Sequence, residues 1–274
     1  MFDAKTTDMY RGFNLRINLN MLDLPRNKSN QDCLNSGNII FDSNKAKFKE
    51  GLDSYVLPNG SLDGKKIKES WFPQVKADIF LSHSHGNIIE AKFLAGWLKE
   101  VFNVTTFIDS SVWGYANKLL EDIDDEYSRN SRRELEYKDI IYSSSHVHMM
   151  LATALSKMID NTECLIFLNT PQSIKSYDKV DKTESPWIFY ELAITEFIRK
   201  KSKAAHRPSD RLFSRTLQLL VENLKIEQEA HLGELMLLNT TELNQWKTRW
   251  NPREEYSLDS LYKIKPLKSN MING

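Results

Sequence analysis

The segment Ser185-Pro-Trp-Ile-Phe-Tyr-Glu-Leu192 holds the two residue types in this chain best suited to chemistry, Trp187 and Glu191. Set four apart on a helix, they project from the same face, about one turn from each other. Ser185 is a natural N-cap and Pro186 suits the first helical position, so Glu191 falls early in the helix. An aromatic plane beside a carboxylate suits a sugar bonded to a cationic leaving group. Breaking such a bond passes through an oxocarbenium-like state, which a carboxylate stabilises most at the transition state. On an arbitrary helix the same two residues would be a core tryptophan and a solvated glutamate, so the surroundings must decide.

Ser82-His83-Ser84 offers hydroxyls and backbone N–H groups that could hold a phosphate or a ribose, or serve only as turn and helix cap. Asp109 and Trp113 follow a second apolar run, where they could border a ligand; Trp113 could equally pack, or meet a neighbouring subunit. The alternating pairs His83/His85 and His146/His148 raise a metal reading. The first pair lies at a strand end, the second begins a helix on which i and i+2 diverge, and no Cys or Asp cluster completes a ligand set. No metal is expected. A P-loop, a Gly-x-Gly-x-x-Gly fingerprint and a Gly-x-Ser-x-Gly elbow are all missing from the sequence. Ser143-Ser-Ser-His146 is adjacency, which is not the geometry of a nucleophile and its base.

The elements that must position these residues begin at Asp78-Ile-Phe-Leu-Ser82, a short apolar run of the kind buried on both faces of a sheet. Ile89, Phe93, Trp97 and Val101 then recur at helical spacing, and Val104–Ile108 is β-branched and aromatic. A charged insertion near 124–145 follows, with Arg129, Arg132 and Arg133, read as a solvated face. Ser145 is the expected cap of a helix through Val147, Leu151 and Met158, and Cys164–Leu168 is a third strand. The helix from Ser185 should reach about Lys200. Thr216–Val221 and Glu229–Leu238 are further strand candidates, and a last helix starts at Thr240 or Thr241. Such alternation predicts an α/β fold: a flavodoxin-like, doubly wound, mostly parallel five-stranded sheet. In that fold ligands sit outside the carboxyl ends of the strands at a switch point, here the loops Ser82–Gly86 and Asn169–Gln172. Residues 1–75 have weak periodicity and read as an N-terminal extension packed on a main domain of 76–250, with 251–274 as a tail. Within the extension, Asn59-Gly60 marks a turn, and Ser61 is the expected cap of a short helix ended by Pro73.

Composition narrows the function classes. With 41% hydrophobic and 27% charged residues the chain reads as an ordinary globular protein. The 37 basic and 37 acidic side chains cancel, which argues against nucleic acid as a partner. Two distant cysteines, Cys33 and Cys164, exclude a disulfide scaffold and fit a reduced, cytoplasmic setting. The first twenty residues lack a signal-peptide build and no stretch is apolar enough for a membrane helix.

Three segments together resemble a bacterial Toll/interleukin-1 receptor (TIR) domain over about residues 76–250. Ala77-Asp-Ile-Phe-Leu-Ser-His-Ser-His85 is similar to the family's opening strand. Phe107-Ile-Asp109 with Trp113-Gly114 looks like the second strand and its glycine-containing BB loop. Ser185-Pro-Trp-Ile-Phe-Tyr-Glu-Leu192 is similar to the family's Ser-x-Trp-x-x-x-Glu pattern. The resemblance implies that Glu191 is the catalytic carboxylate of an NAD⁺-cleaving enzyme, with Ser82, His83, Ser84, Asp109, Trp113 and Trp187 as substrate contacts. NAD⁺ would be substrate rather than cofactor. Products would be nicotinamide and ADP-ribose, or a cyclic or transferred ADP-ribosyl signal, in antiphage defence. Assembly into a homo-oligomer on activation, and a separate effector or activating partner, are implied with it. A non-enzymatic TIR assembly module and a nucleoside deoxyribosyltransferase-like enzyme are the alternatives. Gly86-Asn87 departs from the acidic residues that many members carry after the Ser-His segment.

Overall fold

The structure, a computed structural model, describes residues 11–45, 52–177, 180–198, 201, 206 and 228–267. Its strands are Arg11–Arg16 (β1), Ile79–Ser82 (β2), Thr106–Ile108 (β3), Cys164–Leu168 (β4), Lys175–Tyr177 (β5), Val180–Thr183 (β6), Gln228–Glu229 (β7) and Met236–Asn239 (β8). Helices are Asn30–Lys45 (α1), Gly64–Trp71 (α2), Ile88–Phe102 (α3), Ser110–Tyr127 (α4), Tyr137–Asn161 (α5), Pro186–Phe197 (α6), Thr240–Arg249 (α7) and Ser257–Ile264 (α8). Five strands form one sheet in the order β3-β2-β4-β1-β8, every pairing parallel, and β5-β6-β7 form a small antiparallel sheet beside it. This is the flavodoxin-like, doubly wound architecture.

Alternation along the strands sorts the core into two layers. Phe80, Phe107, Leu165 and Phe167 pack against α2, α4, α5 and α6. Phe13, Leu15, Ile79, Leu81, Ile166 and Leu238 pack on the opposite face against α1, α3, α7 and α8. Both faces are covered, which explains why the inner strands read as nearly unbroken apolar runs.

The expected extension does not describe the N-terminal region. Arg11–Arg16 is an inner strand, paired with β4 on one side and β8 on the other. It occupies the place beside β4 where a later strand was expected. Thr216–Val221, the other candidate, lies outside the described residues. Arg11-Gly-Phe-Asn-Leu-Arg16 alternates polar and apolar as an edge strand would, so its pattern does not mark an inner position. α1 is equally integral. It crosses α3 so closely that a Cβ on Gly37 would stand 1.8 Å from the Lys92 carbonyl oxygen, and one on Gly96 1.8 Å from that of Cys33. Only hydrogen side chains permit that approach.

Other boundaries also shift. The 251–274 tail contains α8, whose Leu258, Leu261 and Tyr262 are core residues. Residues 124–145 are mostly helix: α4 continues to Tyr127 and α5 begins at Tyr137, so Ser145 is inside a helix, where its Oγ donates to the Ile141 carbonyl at 2.7 Å. Asp63, rather than Ser61, caps α2 by accepting from the Lys65 and Lys66 N–H groups at 3.1 Å. The Asn59-Gly60 turn is present, with Gly60 at φ 82°, and α7 starts at Thr240 under a capping box of Asn239 and Glu242.

Candidate active site

The carboxyl ends of β2, β3 and β4 meet at the switch point. Register sets Ser82 beside Phe167 and Leu81 beside Ile108, so Asp109, Ser82 and Phe167 form the last row of the sheet on the α6 side. α6 crosses above this row. Its start is set by Ser185, whose Oγ accepts from the Ile188 N–H at 3.3 Å, with proline in the first turn. Ile188, Leu192 and Thr195 turn inward from that start, and Glu191 turns inward with them.

Glu191 is wholly buried. Ser82 Oγ donates to its Oε2 at 2.6 Å, while Oε1 receives no hydrogen bond from a donor among the described residues. Asp109, equally buried, accepts from the Ser110 N–H at 2.6 Å through Oδ1 and from the His83 N–H at 3.2 Å through Oδ2. His83 Nδ1 lies 2.6 Å from Asp109 Oδ1, off the line of a proper N–H hydrogen bond, and its Nε2 is 3.1 Å from Ser110 Oγ. The Asp109 and Glu191 carboxyls also touch each other.

Burial is the largest influence on all three groups. It pushes the Glu191 and Asp109 carboxyls well above the ordinary carboxylate range, and for Glu191 the neighbouring Asp109 charge adds to the rise. Two touching carboxyls out of water cannot both ionise cheaply, so the pair favours keeping a proton between them. For His83, burial drives the imidazole down to about 4, against the opposing pull of the Glu191 and Glu90 charges, and the ring stays neutral. An acidic pair with a retained proton beside a neutral imidazole can donate a proton, accept one, or stabilise a developing cation.

Two loops close over this row. Asn87 Oδ1 accepts from Ser84 Oγ at 2.5 Å and from Thr170 Oγ1 at 2.6 Å. A Cβ on Gly86 would stand 3.0 Å from Gln172 Oε1, so the two loops touch here as well. The predicted crevice loops are therefore neighbours, and one asparagine latches them. The Gly86-Asn87 departure noted in the sequence supplies that latch.

Of the residues singled out in the sequence, Ser82, His83, Asp109 and Glu191 come together. Ser84 belongs to the latch. Trp187 does not join the cluster: it is half-buried, with its ring 5.8 Å from that of His148. Trp113 sits in the first turn of α4, so the loop expected there is helix from Ser110 onward. His146 and His148 lie on α5, where His148 Nδ1 is 2.8 Å from the Ser144 carbonyl oxygen. No group of three potential ligands able to hold a metal occurs among the described residues. The sequence carries one signal for the contact between Asp109 and Glu191, an acidic residue directly after a strand.

A groove of about 290 Å³ along α7, lined by Met21, Thr240, Asn244 and Thr248 among others, contains none of these side chains. Among the described residues no helix is long and apolar enough to cross a membrane. Comparison of the chain with family models, with curated proteins and with solved structures finds no match.

Proposed function

We propose that this chain cleaves the bond between nicotinamide and ribose in NAD⁺, with Glu191 as the catalytic carboxylate. The observation that carries the reading is the wholly buried Glu191, with one oxygen accepting from Ser82 Oγ and its carboxyl paired with that of Asp109, at the carboxyl end of β2. A ribose hydroxyl donates to the Glu191 oxygen that Ser82 leaves uncontacted, in place of the shared proton. The cationic nicotinamide ring then favours an ionised Glu191, and the proton shared by the pair rests on Asp109. As the C1′–N bond breaks, its electron pair leaves with neutral nicotinamide, and Glu191 faces the positive charge on the sugar. Water, or a hydroxyl of the same or another nucleotide, completes the reaction at C1′ and passes its proton to the ionised Glu191. Glu191 is closed from solvent, so the loops joined at Asn87 must part to admit substrate.

The TIR resemblance of the three segments supports a role in antiphage defence, with assembly or a separate partner as the trigger. Both cysteines are buried free thiols, in keeping with a reducing, cytoplasmic setting. A purely structural assembly module has no use for two touching buried carboxyls, which cost stability. The retained proton does favour a second reading, transfer of a deoxyribosyl group between bases, because a neutral leaving base needs protonation.

One experiment separates these readings. Purified protein is incubated with NAD⁺ or with pairs of deoxynucleosides and bases, and products are resolved by chromatography. Nicotinamide release should fall on the order of 100-fold or more in Glu191→Gln and Glu191→Ala, with the fold intact by circular dichroism. Unchanged turnover in both variants removes the mechanism. Base exchange without nicotinamide release establishes the second reading instead.

A further inference from the structure

The row that ends in Asp109, Ser82 and Phe167 continues one strand further. Asn14 pairs in register with Phe167, and its neighbours Phe13 and Leu15 belong to the opposite layer, so Asn14 faces α6 with Ser82. It is 3% exposed, in the middle of an inner strand. Asn169, which continues β4, donates from Nδ2 to Asn14 Oδ1 at 2.9 Å, and its own N–H donates to the Leu15 carbonyl at 2.9 Å. That pairing leaves the Asn14 Nδ2 group with no acceptor, and the Asn169 Oδ1 with no donor, among the described residues. Turning both amides over leaves the same inventory, one donor and one acceptor.

A leucine in place of Asn14 would pack, as at Leu15. Adjacent strands are roughly 5 Å apart, so Asn14 stands roughly 10 Å from Ser82 across Phe167. This is the reach from a sugar being cleaved to a base attached to the same molecule, and Phe167 lies between as an apolar floor. A donor and an acceptor held together match an amide-type edge, such as a carboxamide or the amino and ring-nitrogen edge of adenine.

We infer that Asn14 and Asn169 form the base-reading subsite of the Glu191 site, recognising the amide-type edge of a nucleotide substrate. This rests on the NAD⁺-cleavage reading for the identity of the sugar site. The N-terminal strand, which the sequence pattern sets outside the main domain, thus contributes specificity.

The test uses full-length Glu191→Gln, which binds without turning over, and the same protein carrying Asn14→Ala or Asn169→Ala. Each is titrated calorimetrically with NAD⁺, with its nicotinic acid counterpart and with its hypoxanthine counterpart. Glu191→Gln should prefer NAD⁺ to one of the two analogues by about 10-fold, and either asparagine variant should bring that ratio close to one. Collapse in the nicotinic acid arm assigns the subsite to the carboxamide; collapse in the hypoxanthine arm assigns it to adenine. Asn169 is half-buried, so its variant retains the test should Asn14→Ala fail to fold. Ratios unchanged in both variants, or no binding of any dinucleotide, overturn the subsite. Intact discrimination with no turnover by the natural protein sinks the cleavage reading alone.

Discussion

Charge is buried at both ends of the same parallel sheet, and the two ends treat it differently. At the amino end, Arg11 is 3% exposed, donates to the carbonyls of Tyr262 and Lys265 at 3.2 and 2.6 Å, and lies 4.4 Å above the Tyr262 ring. Glu163, buried beside it, acts on the Tyr262 hydroxyl in the sense opposite to Arg11. The cation there has an anion and a set of acceptors, and it ties β1 to α8. At the carboxyl end, Asp109 and Glu191 are two acids in contact with a neutral imidazole, and no buried cation among the described residues balances them. Burial of a charged residue is therefore a poor marker of a site. Imbalance is the better one, because it costs stability and gains nothing in the folded protein by itself.

The comparison can be broken at either end. Arg11→Met should lower stability by about 3–5 kcal/mol, since it strands a buried glutamate and two carbonyls. Urea unfolding measures this, and a loss below about 1 kcal/mol would mean that the amino end is not a clamp.

At the carboxyl end the sign reverses. Glu191→Gln should raise stability at pH 8 by about 1–3 kcal/mol, because a carboxyl that must keep its proton in the folded protein becomes an amide that needs none. The folded pair holds a proton that the unfolded chain gives up above its ordinary carboxyl range. Stability of the natural protein should accordingly fall as pH rises from that range through the raised folded values, and Glu191→Gln should flatten this limb. His83 acts on the other side. Its folded value of about 4 lies below the ordinary 6.5, so stability is lost as pH falls across that interval, in the variant as in the natural protein. Melting temperatures from pH 4 to 9 report both limbs. An alkaline limb of equal slope in the two proteins contradicts the shared-proton pair.

The smallest effect concerns the latch. Asn87→Ala removes the acceptor common to Ser84 and Thr170, at a cost of about 1 kcal/mol. Hydrogen exchange should quicken in residues 84–87 and 170–173 and stay unchanged in the sheet. Exchange that rises everywhere would make Asn87 a general stability residue instead.

Much of the fold was legible in particular residues. Ile79–Ser82 and Cys164–Leu168 announced themselves as strands because both of their faces are covered, and Ser185-Pro186 announced the start of α6 through local capping. These signals depend on neighbours in the chain or on a layer that covers any inner strand. Asn87 had no such signal, since its partners are Ser84, three residues away, and Thr170, on a distant loop.

The sequence by itself determined the alternation of strands and helices, the start of α6 under Ser185 and the two loops at the switch point. Each follows from periodicity or from a cap a few residues away. Only the tertiary structure decided that Arg11–Arg16 enters the middle of the sheet, that Asp109 touches Glu191, and that Trp187 packs elsewhere. Those outcomes depend on strand order and on how a helix lies across a sheet. Two chain segments about eighty residues apart meet there for reasons that neither segment carries alone.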